Sequence, residues 1–301
     1  MPGAEAHALN NFQNHSLPIV LSIAGFDPSC GAGVGADLKT FSAHNCYGVA
    51  VISALTVQST QGVQAVHPTP APILRAQLDA LAQDLQIAAI KIGMLGTRAN
   101  AVAVAEFLDK GQFQHVVLDP VIRASAGGPD LLDAGGVKFL TEELIKRASV
   151  VTPNIAEAAL LTGLEISDLA GMEAAARKLV ERGARAVVIK GGHMEKPVDV
   201  LFDGLELHAL GGDRVKTENT HGSGCTFASA IAAQLASGRV LPEAVMLAKA
   251  YVTKAIANSF TIGKGPGPLD HFYRAHQEPP SRGVHEVPQH GLHPASEPAT
   301  R

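Results

Sequence analysis

The sequence predicts one α/β domain built on a mostly parallel sheet with helices on both faces. Three observations carry this. Short β-branched apolar runs alternate with amphipathic helical stretches from residue 17 to about residue 272. Those runs are apolar at nearly every position, as strands buried on both faces must be. Aromatic residues make up only 4% of the 301 residues, and 30 are glycine, which suits helices packed closely on a sheet.

The elements follow in order. Apolar runs place strands at 19–23, 49–54, 89–92, 116–118, 150–152 and 186–189. Between them, 3.6-residue periodicity places helices at 35–43, 72–83, 99–109, 131–146, 155–161 and 172–182. Residues 198–202 and 206–210, joined through Asp203 and Gly204, read as a β-hairpin. A glycine-rich turn then opens helices at 224–236 and 242–259. The domain is expected to span 17–275, after a flexible segment at 1–16. The stretch 276–301 carries prolines, scattered histidines and few apolar residues, so it is expected to be disordered.

Composition excludes several function classes. Net charge is −4, there is no tryptophan, and no basic stripe is visible, so no nucleic acid is expected. No apolar run reaches the length of a membrane span, so no membrane partner is expected. The opening residues lack the pattern of a secretory signal. Cys30, Cys46 and Cys225 are odd in number and widely spaced, which fits a reducing, cytoplasmic setting better than a metal or disulfide framework.

In an open α/β sheet, ligands sit beyond the carboxyl ends of the parallel strands. The chemistry-bearing residues fall there. Thr220-His221-Gly222-Ser223-Gly224-Cys225-Thr226 runs a glycine turn into a helix start, where free N–H groups and the helix dipole favour an anion. Asp119 ends one strand and offers oxygen to Mg²⁺. Asn154 and Glu157 stand at a strand-to-helix junction; their spacing suits a helix cap and is compatible with water-mediated metal binding. Lys190 ends another strand beside Gly191 and Gly192 and can neutralise polyphosphate. The loop from Ala24 to Gly33 leads into Asp37, which suits equally an acceptor for an amino-substituted ring and an acid placed for the dipole of the next helix. Gln58 can both donate and accept at a heterocycle edge, although its position alone suits an exposed loop amide better. Met94 suits either a flat ring or plain core. These parts together fit phosphoryl transfer. The P-loop pattern is absent, and so is the spaced glycine fingerprint of nicotinamide enzymes.

With these residues in place, the chain resembles the hydroxymethylpyrimidine/phosphomethylpyrimidine kinases of thiamin biosynthesis, within the ribokinase-like superfamily. The resemblance covers about 17–272. It rests on A-G-x-D-P-S-x-G-A-G from Ala24, A-D-L-K-T-F from Ala36, I-K-I-G-M-L from Ile90 and V-L-D-P-V from Val117. It continues in T-P-N from Thr152, I-K-G-G-H from Ile189, T-H-G-S-G-C-T from Thr220 and G-K-G-x-G-P from Gly263. It implies a ribokinase-like fold without a large separate lid, ATP and Mg²⁺ as cosubstrate and metal, and a homodimer. It also implies two successive transfers, onto 4-amino-5-hydroxymethyl-2-methylpyrimidine and then onto the resulting monophosphate.

By position, Gly25, Asp37 and Gln58 match pyrimidine contacts, with Met94 and Val121 lining the pocket. Lys190 and Lys249 match lysines near the nucleotide phosphates, with Asn154 beside them. Asp119 and Glu157 match metal-side acids, and Gly222, Ser223 and Gly224 match the anion hole. Cys225 stands where many relatives carry a catalytic Asp. A thiol at a helix start can have a depressed pKa, so a base role would make Cys225→Ala harm the first transfer more than the second. Cys30 replaces a usual glycine, Val34-Gly35 a common Ile-Gln pair, Ser223 a threonine, and Leu269-Asp270 a frequent Val-His pair. The 124–128 stretch reads as a flap over the phosphates. The rival expectations are a pyridoxal kinase on the same fold and a non-catalytic pyrimidine-binding protein.

Overall fold

The computed structural model describes residues 17–124, 128–192, 194 and 197–277. The strands are β1 (Ile19–Phe26), β2 (Tyr47–Ser59), β3 (Gly62–Pro68), β4 (Ile87–Ile92), β5 (Val116–Leu118), β6 (Val150–Val151), β7 (Val187–Ile189), β8 (Val198–Phe202) and β9 (Leu207–Gly211). They form a single sheet in the order β3-β2-β1-β4-β5-β6-β7-β8-β9. The six strands β2, β1, β4, β5, β6 and β7 are parallel; at one edge β3 pairs antiparallel with β2, and at the other β8 pairs antiparallel with β7 and β9 antiparallel with β8.

The helices are α1 (Gly33–Ala43), α2 (Ala71–Asp84), α3 (Arg98–Lys110), α4 (Ala134–Phe139), α5 (Ile155–Thr162), α6 (Leu169–Glu181), α7 (Ser223–Ala236), α8 (Leu241–Ala257) and α9 (Tyr273–Gln277). They cover both faces because side chains alternate along each strand. Leu21, Ile23, Val116, Leu118, Val187 and Ile189 turn to a core shared with α2, α3, α5 and α6. Their neighbours Val20, Val117 and Val188 turn to a second core shared with α1, α7 and α8.

The expected elements are present, with four differences. β2 continues to Ser59 and folds back as β3, a strand absent from those expected. Beyond Ala54 this hairpin leaves the shelter of the helices, and Leu55 and Val57 are exposed. The helix expected at 131–146 starts only at Ala134, where Asp133 accepts a hydrogen bond from the Gly136 N–H at 2.6 Å, and it loosens into π and 3-10 turns over 140–147. A short α9 extends the domain to Gln277. The segments 1–16 and 278–301 and the centre of the proposed flap, 125–127, lie outside the described residues.

Candidate active site

The chain leaves β1 toward β2 on one side, while β4 pairs with β1 on the other. The strand ends diverge at that switch and open a crevice at the C-terminal rim. The start of α7 lies across it, because α7 packs on β1, β4 and β5.

Strand ends deliver the central pair. Asp119 follows β5 and is almost fully buried. Its Oδ1 accepts from Lys190 Nζ at 2.7 Å and from Thr152 Oγ1 at 3.2 Å. Lys190 follows β7, and its backbone bridges to Asn154 after β6. A side chain placed on Gly224 would begin 3.2 Å from Lys190 Nζ and 3.9 Å from Asp119 Oδ2, so the α7 start abuts this pair. α7 has no side-chain cap and no acid in its first turn, leaving its early N–H groups for a ligand. Gly222 has φ +81, and a Cβ there would collide with the Gly31 carbonyl, so only glycine fits.

Asn154 caps α5 by accepting from the Glu157 N–H at 2.8 Å, and Glu157 accepts from the Asn154 N–H at 2.8 Å. This reciprocal box turns the Glu157 carboxylate back toward the rim. Burial pushes Glu157 up to about 7; the Lys190 charge opposes this, and the Asp119 carboxylate adds to it. For Lys190, burial disfavours the ammonium, but Asp119 and Glu157 outweigh it and hold the pKa above the ordinary lysine value. Among the described residues no cluster of three or more metal-ligating side chains exists. The pair Asp119 and Glu157 still fits Mg²⁺, which takes one or two carboxylates and fills its shell with water and phosphate oxygens.

Asp37 calls for a correction. It is fully buried and its oxygens are engaged, by Ser22 Oγ at 2.6 Å, Lys91 Nζ at 2.9 Å and Ser229 Oγ at 2.7 Å. It therefore offers no carboxylate to a ring; it neutralises Lys91, itself fully buried beneath the rim. Burial works against the Lys91 charge, but Asp37, Cys225 and Asp119 more than offset it and raise the pKa.

The surroundings of Cys225 weigh against the depressed pKa that a helix start can give. Burial pushes its thiol up to about 11; Lys91 pulls the other way, and Asp119 and Asp37 push further upward. Burial, with the two carboxylates adding to it, outweighs the pull of Lys91 and the helix start toward a thiolate.

Gly25, Met94 and Val121 do come together. A Cβ on Gly25 would fall 2.8 Å from Met94 Sδ, so the glycine admits the thioether. Met94 packs with Ala54 and Leu131, and Val121 and Val63 lean on this small apolar wall. Lys249, on α8, is bound to Asp199 Oδ2 at 2.8 Å, while Asp199 Oδ1 accepts from the Gly191 N–H at 2.9 Å. It reaches the rim through Asp199, next to Lys190. Gln58 lies beside His221, which contacts Asp27.

Sequence reasoning missed Lys91, Thr152, Asp199 and the Asp27–His221 contact. Lys91 had a signal, a lone lysine inside an apolar strand. The others are joined only by the fold.

A doubly covered sheet whose rim carries an uncapped helix start over a lysine–carboxylate pair defines a ribokinase-like kinase. The family model described as phosphomethylpyrimidine kinase matches residues 27–270, and the chain belongs to that family. The hydroxymethylpyrimidine/phosphomethylpyrimidine kinase of Rhizobium meliloti is 48% identical over 85% of this chain and 97% of its own length. The thiamine biosynthesis bifunctional protein ThiED of Geobacter sulfurreducens is 46% identical, and the chain spans about half of it (52%). Among solved structures, the Staphylococcus aureus pyridoxal kinase in complex with AMP-PCP and pyridoxal superposes with a TM-score of 0.80 at 36% identity, over 87% of this chain and 96% of that one.

Proposed function

We propose that the protein transfers the γ-phosphoryl group of ATP to the hydroxymethyl oxygen of 4-amino-5-hydroxymethyl-2-methylpyrimidine, and then a second one to the resulting monophosphate. The observation that carries this is the meeting of the uncapped α7 start with the Lys190–Asp119 pair, 2.7 Å apart. In each transfer the acceptor oxygen forms a bond to the γ-phosphorus as the bond to the β-phosphate oxygen breaks and ADP leaves. The N–H groups of Gly224 and Cys225 hold the migrating group, and Lys190 balances charge on the leaving diphosphate. Asp119 and Glu157 would hold Mg²⁺, which would supply neutralisation of the phosphate charge. The wall of Met94 and Val121 supports the ring and keeps water away. Gly25 gives it room, and Gln58 reads the ring edge.

Lys249 and Asn154 complete the nucleotide side, Lys249 through Asp199. We assign the protein to the cytoplasm, in keeping with its three free cysteines. We also read it as a homodimer, with the exposed Leu55 and Val57 of the β2–β3 hairpin as the contact.

The likeness to a pyridoxal kinase supports one further substrate, pyridoxal, whose ring also carries a hydroxymethyl group. Incubation with ATP, Mg²⁺ and each alcohol, followed by mass analysis, tests both. Mono- and diphosphate of the pyrimidine are expected. Pyridoxal phosphate alone would replace the reading.

A further inference from the structure

The loop after β1 and the turn before α7 meet in a polar chain that phosphoryl transfer does not use. Asp27 Oδ2 lies 2.8 Å from His221 Nε2. The same ring nitrogen lies 3.4 Å from Gln58 Nε2, and Gln58 Oε1 lies 3.1 Å from Thr56 Oγ1, an oxygen/nitrogen assignment that the surrounding donors and acceptors must decide. Thr56 Oγ1 in turn lies 2.9 Å from the Phe26 carbonyl oxygen.

One hydroxyl proton and one ring proton decide which way the Gln58 amide faces. The Phe26 carbonyl only accepts and cannot turn over, whereas the amide can, so the Thr56 proton goes to Phe26 and the hydroxyl then meets the amide as an acceptor. It takes an N–H from Gln58. A carboxylate also only accepts, so His221 Nε2 carries a proton toward Asp27. That proton is spent on Asp27, and at 3.4 Å the positive edge of the N–H favours the oxygen of the amide over its nitrogen. Both ends demand the same orientation. Asp27 stays a carboxylate: burial pushes it up, but hydrogen bonds from His221 and Ser29 hold it below its ordinary value. The loop holds it in place as well, since it accepts from the Ser29 N–H at 2.8 Å and the Ala32 N–H at 3.0 Å. The imidazole is seated against Gly31, where a Cβ would strike the ring.

We propose that Asp27 and His221 are positioning residues that lock the Gln58 amide, nitrogen toward Thr56 and oxygen toward His221, and so make the pocket select a 4-amino over a 4-oxo pyrimidine. This rests on the pyrimidine reading above. The locked amide keeps one N–H and one oxygen lone pair for a ligand. These match a ring nitrogen beside an amino group. A 4-oxo ring presents an N–H and a carbonyl at the same two places, the reverse order. Binding it well requires the amide turned over, which breaks its contacts with both Thr56 and His221.

The test compares kcat/KM for the 4-amino alcohol and its 4-oxo analogue in wild type, His221→Phe and His221→Gln. Phenylalanine keeps the ring against Gly31 and loses the donor; the glutamine amide restores an N–H toward Asp27. The preference for the amino alcohol should fall about tenfold or more in His221→Phe, mainly through KM, and return in His221→Gln. A nitrogen-15 spectrum of the wild-type protein should show His221 protonated at Nε2. Equal losses for both alcohols in His221→Phe, or a His221 ring protonated at Nδ1 alone, overturns the lock. If wild type phosphorylates neither alcohol, the substrate reading falls by itself, and the ring-nitrogen resonance alone upholds or overturns the lock.

Discussion

Single residues set the limits of this site. Cys30 has φ +54, a left-handed conformation that costs an ordinary side chain about 1–2 kcal/mol. Cys30→Gly relieves that strain and gives back part of it as unfolded-state freedom. A net gain of about 0.5–1 kcal/mol is expected in urea unfolding. Cys225 presents the opposite case, a residue whose chemistry is muted by its neighbours. With the thiol pushed up to about 11, iodoacetamide should label Cys225 slowly near neutrality, and faster as pH rises toward that value, as peptide mapping would register. A neutral thiol takes no proton from an alcohol. Cys225→Ala should therefore slow the two transfers by similar factors, within about threefold, reversing the expectation from its place at a helix start. A loss confined to the first transfer would restore the base role.

At the scale of elements, the junction of β6 and α5 couples structure to protons. The folded-state pKa of Glu157, about 7, stands above the ordinary 4.5, so the folded protein holds an extra proton between those values. Its contribution to stability is complete below about 4.5 and is lost as pH climbs through about 7. Glu157→Gln keeps the capping oxygen without the charge. Between about pH 5 and pH 8, wild type should lose stability relative to this variant, on the order of 1–3 kcal/mol, in urea titrations at both values. Parallel curves would show the carboxylate is not desolvated.

The capping box itself was legible, since Asn-x-x-Glu before an apolar run states it outright. So were the buried strands, whose continuous apolar runs leave no other reading. β3 was not: Gly62–Pro68 is short, part exposed and mixed in polarity, and it is a strand only because β2 runs beyond its helices to meet it. The helix expected from residue 131 was read from apolar periodicity that continues through Gly135 and Gly136, where the cap at Asp133 sets the true start.

For the whole molecule, the rim was legible and its wiring was not. Strand ends told where Asp119, Lys190 and the glycine turn would gather, because a parallel sheet sends all its C-terminal ends to one side. Nothing in the order of residues told that Asp37 would sink beneath the rim onto Lys91, or that Asp27 would find His221, 194 positions away. The surface makes its own prediction. Leu55 and Val57 point the same way along β2 and are 52% and 47% exposed, beyond the helices that shelter the rest of the strand. If they join two copies, wild type should sediment as a pair and Leu55→Asp with Val57→Lys as single chains. A wild-type protein that sediments alone at micromolar concentration would refute the pairing.

The collision that forbids a side chain on Gly222 has a consequence for ligand binding. The turn proposed to hold the phosphate is wedged against Gly31, in the loop that follows β1, and is tied to it again through Asp27 and His221. Neither segment can settle on a ligand while the other drifts. A nucleotide analogue that cannot react should therefore bind about 5- to 50-fold more tightly once the alcohol is present, and calorimetry in the reverse order should return the same factor. On that account occupancy of either chamber would stiffen the wall common to both, and cooperativity between unlike ligands would follow from the backbone itself; equal affinities with and without the alcohol would refute it.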